Sequence, residues 1–257
     1  MFEPVIKPIS LIPNNIFTVS GMGFNSSVLA GLIITLLIII LSFVSYKKIK
    51  LVPGNFQSFI ELFVEFFYNQ CVLSFGSQKK AKNFVSFVIT LFLFVLISNQ
   101  FSLIPLVQDI VIDGKNVFTT PTAHLSQTLT LSLLVVGLSH IAAFYMHPIK
   151  HLNSIIDFKK IFSIKKLSDL PNALLQIFLG VLNLIGEISK IISLSARLFG
   201  NIFAGQVVVA VISGLSLFTM FLVPIPFIVL SAFSGVIQAF VFAFLAISFI
   251  SGTISTE

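Results

Sequence analysis

A chain of 257 residues in which 56% are hydrophobic, only 9% are charged and the mean hydropathy is +1.08 is too apolar for an ordinary soluble domain, where about 25% of residues carry charge. The formal net charge of +6 does not require nucleic acid as a partner, because the lysines are grouped between apolar runs, as in membrane proteins. The single cysteine, Cys71, excludes an intramolecular disulfide and a cysteine-based metal cluster, and we expect it to be a small buried apolar residue.

Apolar runs that approach membrane length, together with the prolines, define the predicted elements. In chain order we predict an outer N-terminal segment at 1–27, a first span at 28–46, an interfacial helix at 56–76, a second span at 83–106, a third span at 125–147, a long tilted helix at 172–222 and a final helix at 227–251. The predicted fold is an all-α polytopic membrane protein, a single membrane domain with about five membrane helices and a C-terminal helical hairpin.

The interfacial helix is predicted from NFQSFIELFVEFFYN, where Glu61 and Glu65 share one face and phenylalanines cover the rest. This pattern is typical of a helix at the membrane surface, and a helix packed on a soluble partner is the alternative. Eleven lysines lie in the connections 47–82 and 150–166, against Lys7 and Lys115 in the other polar segments. The positive-inside rule therefore places the N-terminus outside and both lysine-rich connections inside.

The long helix is predicted because no proline occurs between Pro171 and Pro224, a stretch of 52 residues. One helix of that length would extend about 78 Å at 1.5 Å per residue, whereas the hydrocarbon core is about 30 Å thick. Such a helix must tilt steeply or break near a glycine, for which the candidates are Gly200, Gly205 and Gly214. The sequence VPIP then turns the chain into the final helix.

Arg197 lies in ISLSARLFGNIFAGQ, one of the most apolar parts of the long helix. Helical spacing places polar and small residues on its face: Asn183, Lys190, Ser193, Gly200, Asn201 and Ala204. An intramembrane arginine costs about 2.5 to 3.5 kcal/mol on insertion scales and normally faces a partner or a water path. Snorkelling to an interface, or an inactive polar seam, is the alternative.

The counter-charge of Arg197 is expected to come from another chain. Glu187 is the only carboxylate between Asp169 and Glu257, and helical spacing favours its pairing with Lys190 instead. The final helix offers uncharged groups in a polar stripe: Ser231, Ser234, Gly235 and Gln238. In an antiparallel hairpin Gln238 can approach Arg197. Gln206 points to the opposite side of its helix, where a water path and a simple helix–helix hydrogen bond are equally open.

A family resemblance follows from these motifs. SLSARLFGNIFAGQ, the VPIP turn and GVIQAFVFAFLAISFI resemble subunit a of the rotary F-type ATP synthase, and SNQFSLIP and TTPTAHLSQTLTLSL are similar to its earlier signatures. The likeness covers residues 28–252, and RLFGN is its most specific part. The resemblance implies a stator subunit with two offset aqueous half-channels and an arginine, here Arg197, that faces the carboxylic acids of a rotating ring.

The site residues follow the family pattern unevenly. Arg197, Asn201 and Gln238 match it, whereas Gln206 and Ser231 stand where many members have glutamate or histidine. Asn183 occupies a position often held by glutamate, and His124 replaces a common aspartate. The resemblance therefore predicts a proton pathway with few carboxylates: Glu187, Asn183, Gln206, Ser231, His140 and Lys190. A histidine that only satisfies a structural hydrogen bond is the alternative for His140.

The resemblance also implies the partners: c-ring proteolipid subunits, peripheral-stalk b subunits, other ATP synthase subunits and membrane lipid. It implies no cofactor, no metal and no ATP chemistry on this chain. The expected location is a bacterial plasma membrane, with a mitochondrial inner or thylakoid membrane as the alternative. Two other classes fit less well, because a secondary transporter normally shows inverted repeats and a membrane enzyme needs a nucleophile or paired acids.

Overall fold

The computed structural model describes residues 15–19, 22–47, 49–103, 111–112, 115–116, 119–146, 170–215 and 223–255. Within them, six α-helices follow in chain order: α1 Ser26–Lys47, α2 Asn55–Phe75, α3 Gln78–Phe101, α4 Leu125–Met146, α5 Leu170–Leu215 and α6 Pro224–Ser255. Two short antiparallel hairpins, β1 Asn15–Val19 with β2 Met22–Asn25 and β3 Val111–Ile112 with β4 Lys115–Asn116, lie in the loops before α1 and α4. A 3₁₀ turn at Pro121–Ala123 leads into α4.

Five of these helices, all except α2, contain segments long and apolar enough to cross a membrane. The predicted fold, an all-α polytopic membrane protein with about five spans, is confirmed. Helix α3 begins at Gln78 and ends at Phe101, so it is shifted towards the N-terminus relative to the predicted span 83–106. The predicted ends at 104–106, 147 and 216–222, and the lysine-rich connection 150–166, lie outside the described residues.

Helix α2 packs on α3 and α6 through aromatic side chains. The ring of Phe92 in α3 lies 5.1 Å from those of Phe63 and Phe67 in α2, and 4.6 Å from that of Phe240 in α6, between centroids. Such pairs add to the free energy gained by burying apolar area. Cys71 is fully buried beside them, as expected, and burial raises the pKa of its thiol to about 11. The inward face of α2 is therefore covered by its own chain.

Helix α6 is hydrogen-bonded near both ends. Towards its start, Asn99 Nδ2 donates to the Gly235 carbonyl at 3.0 Å and Gln100 Nε2 donates to the Ala232 carbonyl at 3.1 Å. Near its other end, Ser251 Oγ donates to the carbonyl of Ser74 in α2 at 2.5 Å. A Cβ on Gly235 would lie 3.2 Å from Cβ of Asn99, so a glycine permits this close approach. These contacts fix α6 to α3 and α2.

Helix α5 is continuous over 46 residues and passes through Gly200, Gly205 and Gly214 without a break. A break at Gly200 or Gly205 is therefore excluded, whereas a break just after Gly214 would fall at the end of the described residues. At 1.5 Å per residue the helix is about 69 Å long, more than twice the roughly 30 Å of a hydrocarbon core, so it must cross a bilayer obliquely. Its buried face, formed by Leu194, Leu198 and Ile202, packs in the bundle with α4 and α6.

Candidate functional site

The membrane helices contain few ionisable groups. Apart from lysines and tyrosines near helix ends, the five membrane helices carry only His140, Glu187, Lys190 and Arg197. Arg197 is also the only arginine in the whole sequence. Ionisable side chains within membrane segments are costly and usually mark ion pathways or binding sites. These four residues therefore mark the region of the membrane helices where an ion pathway or binding site is expected.

Arg197 points away from its own bundle. It is exposed on the same side of α5 as Ser193, Ala196 and Ala204, which are also exposed. Within the described residues, no hydrogen bond or salt bridge engages its guanidinium. No described residue therefore supplies the counter-charge of Arg197, and the small neighbours leave room for a close approach by another helix.

The antiparallel register of α5 and α6 determines what lies near Arg197. Ser234 Oγ donates to Asn201 Oδ1 at 2.6 Å, and Asn201 Nδ2 donates to the Ser234 carbonyl at 3.4 Å. One turn further in the same register, Gln238 reaches the level of Arg197. Gln238 is 7% exposed, and its Nε2 has no hydrogen-bond partner among the described residues. The register therefore places Gln238 and Arg197 at the same level of the two helices, but no direct hydrogen bond joins their side chains.

The two helices are also in close contact at Gly205. A Cβ at this position would lie 2.8 Å from Oγ and 3.4 Å from Cβ of Ser231, closer than real Cβ atoms approach. Asn201 and Gly205 therefore face the same stripe of α6 that carries Ser231 and Ser234. The sequence predicted this polar stripe, but it did not predict which glycine meets it.

Gly205→Ala is expected to destabilise the subunit by about 1 to 3 kcal/mol, because the added methyl overpacks the contact with Ser231. Adding Ser231→Ala should recover most of this loss, since it removes the obstructing Oγ. Thermal unfolding of the purified subunit in detergent measures the effect. Gly186→Ala is the control, because a Cβ there meets nothing within 4 Å. Equal Tm changes at Gly186 and Gly205 would contradict the close contact.

A charged cluster, defined as His140, Glu187 and Lys190, lies on one side of Arg197. Lys190 Nζ donates to Glu187 Oε1 at 2.7 Å, and His140 Nε2 lies 3.2 Å from Glu187 Oε2. The pairing predicted between Glu187 and Lys190 is therefore present. Lys190 Nζ also lies 5.6 Å from the ring centroid of Phe249 in α6. Asn183 is exposed one turn before Glu187. Among the described residues, no group of three or more metal-ligating side chains comes together.

An uncharged cluster, defined as Thr120 and Gln206, lies towards the other end of α5, and a second polar pair, Thr128 and Ser195, lies close to the level of Arg197. Gln206 Nε2 donates to Thr120 Oγ1 at 3.5 Å, and the hydroxyl oxygens of Thr128 and Ser195 are 3.0 Å apart. Sequence patterns alone did not predict Thr120, Thr128 or Ser195 as site residues. The run TTPTAHLSQT is visibly rich in hydroxyl groups, but its partners on α5 lie far away in the sequence.

Arg197 separates the two clusters along α5. Glu187 precedes it by ten residues, about 15 Å of helix, and Gln206 follows it by nine residues, about 14 Å. Polar groups that can hold water or protons therefore lie on both sides of a permanently charged group.

This chain is similar to known proteins over almost its whole length. The model of the ATP synthase A chain family matches residues 27–251. The chain is 31% identical over 236 residues to ATP synthase subunit a of Geotalea daltonii, covering 92% of this chain and 90% of the relative. It is 32% identical over 254 residues to ATP synthase subunit a of Streptococcus pneumoniae, covering 95% and 97% respectively. Because the matched region extends from α1 into the last turns of α6, the chain belongs to the ATP synthase A chain family.

Proposed function

We propose that this multi-pass membrane protein is the stator subunit of an ATP synthase membrane sector, in which Arg197 couples proton translocation to the rotation of a c-ring. Family membership supports a role in proton translocation and other ATP synthase subunits as partners. The observation that carries the finer proposal is the exposed guanidinium of Arg197, which has no ion-pair partner among the described residues and lies between two polar clusters. Peripheral-stalk b subunits are proposed as further partners.

The absence of a counter-charge for Arg197 among the described residues supports an anionic partner on another chain. A guanidinium stays protonated at any physiological pH, so Arg197 needs an anion that approaches its exposed face. A carboxylate on each hairpin of a proteolipid ring supplies one, and it can leave again when it is protonated. Ser193, Ala196 and Ala204 allow the ring helices to come close. Gln238 and Asn201 stabilise the same contact, because they lie in the α5–α6 seam beside it.

Two half-channels complete the mechanism. The charged cluster opens to the inner side and the uncharged cluster to the outer side, in the orientation that the lysine distribution favours. A proton enters through one cluster, neutralises a ring carboxylate, and leaves through the other after the ring has turned. Arg197 prevents direct passage, because its fixed charge repels a proton between the channels. One proton crossing about 100 mV supplies only about 2.3 kcal/mol, so several steps must accumulate for each ATP.

The half-channels of this chain contain few carboxylates. Asn183, Gln206, Ser231 and His140 therefore hold the water that carries protons, with Glu187 and Lys190 beside them. The bacterial relatives favour a bacterial plasma membrane as the location.

Cysteine cross-linking tests the proposed ring contact. In a Cys71→Ser background, Ser193→Cys and Ala204→Cys, which lie on either side of Arg197, are expected to cross-link to a small proteolipid that co-purifies with the complex. Leu230→Cys is the control, because Leu230 is 63% exposed on α6 but lies outside the proposed contact face. The proteolipid is identified by mass spectrometry. Equal cross-linking at all three positions, or no proteolipid product, would reject the ring contact.

Replacing the four proposed water-holding residues with apolar ones, as Asn183→Leu, Gln206→Leu, Ser231→Ala and His140→Leu together, should lower passive proton conduction by more than about tenfold. The reason is that each substitution removes a polar partner for water. Conduction is measured in membrane vesicles after removal of the catalytic head. Leu182→Ala, at an exposed position beside Asn183, is the control. Unchanged conduction in the fourfold variant would show that these side chains do not line the pathway.

A further inference from the structure

Two side-chain amides lie close together where α3 packs on α6. Asn99 is 1% exposed and Gln238 is 7% exposed, so both are buried. Asn99 Nδ2 donates to the Gly235 carbonyl at 3.0 Å. Gln238 follows Gly235 by three residues, and residues at this spacing are neighbours on one face of a helix. The two amides therefore lie on facing turns of neighbouring helices.

Each of these amides has one polar atom without a partner. Asn99 Oδ1 and Gln238 Nε2 are buried, and neither forms a hydrogen bond with another described residue. The first atom is an acceptor and the second is a donor, so the two are complementary. A buried polar atom that stays unsatisfied costs free energy, and in folded proteins an ordered water commonly satisfies such atoms.

We propose that one buried water joins α3 to α6 at this point, donating to Asn99 Oδ1 and accepting from Gln238 Nε2. The orientation of the Asn99 amide supports this geometry. The Gly235 carbonyl can only accept, so it holds the nitrogen of Asn99 towards α6 and leaves the oxygen as an acceptor for the water. Gly235 also permits the close approach, because a Cβ there would lie 3.2 Å from Cβ of Asn99.

The water gives Asn99 a role in the contact with Arg197. A guanidinium only donates hydrogen bonds, so Gln238 can assist Arg197 only through its carbonyl oxygen. By holding Nε2 of Gln238 towards α3, the water keeps the other end of the carboxamide, Oε1, available to the α5–α6 seam. Asn99 is thus a positioning residue that acts through Gln238. This role rests on the proposed function, whereas the water site itself does not.

Electron cryo-microscopy of the intact complex tests the water site directly. In a map that shows other buried waters, we expect density within about 3 Å of both Asn99 Oδ1 and Gln238 Nε2. Three results would overturn the site: no density between these atoms, a direct hydrogen bond between the two amides, or an apolar side chain that separates them.

Two substitutions of nearly equal shape separate positioning from packing. Asn99→Thr and Asn99→Val both remove the hydrogen bond to the Gly235 carbonyl, but only threonine keeps an oxygen that can bond the water. We expect ATP-driven pumping to fall by about tenfold in Asn99→Val and by less than about threefold in Asn99→Thr, because valine leaves the buried donor of Gln238 without a partner.

Packing alone predicts no advantage for threonine, because valine fills the same space without burying a hydroxyl. The amount of assembled complex and its Tm are measured for both variants. Equal pumping losses in Asn99→Thr and Asn99→Val, or a pumping loss that follows the Tm, would overturn the role of Asn99. If neither variant assembles, the density in the wild-type complex decides the water site.

Gln100→Leu is the control for holding α6 in place. Gln100 Nε2 also donates to a carbonyl of α6, that of Ala232, at 3.1 Å. We expect its loss to lower pumping by less than about twofold, since the helix keeps its other contacts to α3 and α2. A loss as large as that of Asn99→Val would show that Asn99 only fastens the two helices.

The proposed function is tested separately by Arg197. Normal coupled pumping in Arg197→Ala would reject the proposed function, and with it the positioning role, but it would not affect the density expected for the water. In a complex that needs Arg197, equal losses in Asn99→Thr and Asn99→Val reject only the role of Asn99.

Discussion

Arg197→Ala should abolish ATP-driven proton pumping while the subunit still assembles. The guanidinium is exposed and forms no hydrogen bond or ion pair with another described residue, so its removal breaks no contact within the described bundle. In the proposed function, what is lost is the permanent charge of Arg197 between the two clusters, and with it the attraction for a ring carboxylate. Acidification of inverted vesicles after ATP addition is the measurement, with the amount of subunit in the membrane determined in the same samples.

Arg197→Lys tests whether any positive charge is sufficient. Lysine keeps a charge but loses the planar group with its five donors, and it can deprotonate in an apolar site. We therefore expect pumping in this variant to fail as well. Ile192→Ala is the control, because Ile192 is an exposed apolar residue on the same helix at 57% exposure. Coupled pumping in Arg197→Ala at the level of the Ile192 control would falsify the central role of the arginine.

Glu187→Gln is expected to lower ATP-driven pumping by about tenfold, equivalent to roughly 1.4 kcal/mol in the limiting step. The amide can still occupy the space of the carboxylate, but the ammonium of Lys190 then lies beside His140 without its counter-charge. A proton entering this cluster meets an uncompensated positive charge. The loss is moderated because all three side chains are partly exposed, and solvent screens such interactions. Inverted vesicles again provide the assay.

The double variant Glu187→Gln with Lys190→Gln should pump better than Glu187→Gln alone, because it removes the unbalanced charge together with its partner. Glu61→Gln is the control for the loss of a carboxylate: Glu61 is exposed on α2 and accepts a hydrogen bond from Gln57 at 2.8 Å. A double variant that is worse than the single one would show that charge balance is not the reason for the loss.

Much of the fold could be predicted from apolar runs and prolines. The five spans and the hairpin follow from them, because lipid forces each segment to satisfy its own backbone as a helix. The exposed position of Arg197 was also predictable, since helical spacing puts small residues around it and no local acid can reach it. The pairing of Glu187 with Lys190 follows from a separation of three residues on one helix.

Other features depend on contacts between distant segments. The hydrogen bonds of Asn99 and Gln100 to carbonyls of α6 cannot be deduced from the local pattern, because the acceptors are backbone atoms more than 130 residues away. The same holds for His140, which reaches Glu187 across 47 residues. The sequence also could not decide whether α5 continues through its glycines. A glycine within a helix costs only about 1 kcal/mol, and packing readily outweighs that cost.

The attachment of α6 at both ends has a mechanical consequence. In the proposed function, a ring that turns past α5 would push α5 sideways at every step, and a lone helical hairpin would bend under that load. Because α6 is bonded to α3 near its start and to α2 near its end, the load on α5 is shared by three further helices. In that mechanism, a stiff support of this kind would keep Arg197 in place while the ring carboxylate moves on, so that elastic recoil of the stator would not cancel the step.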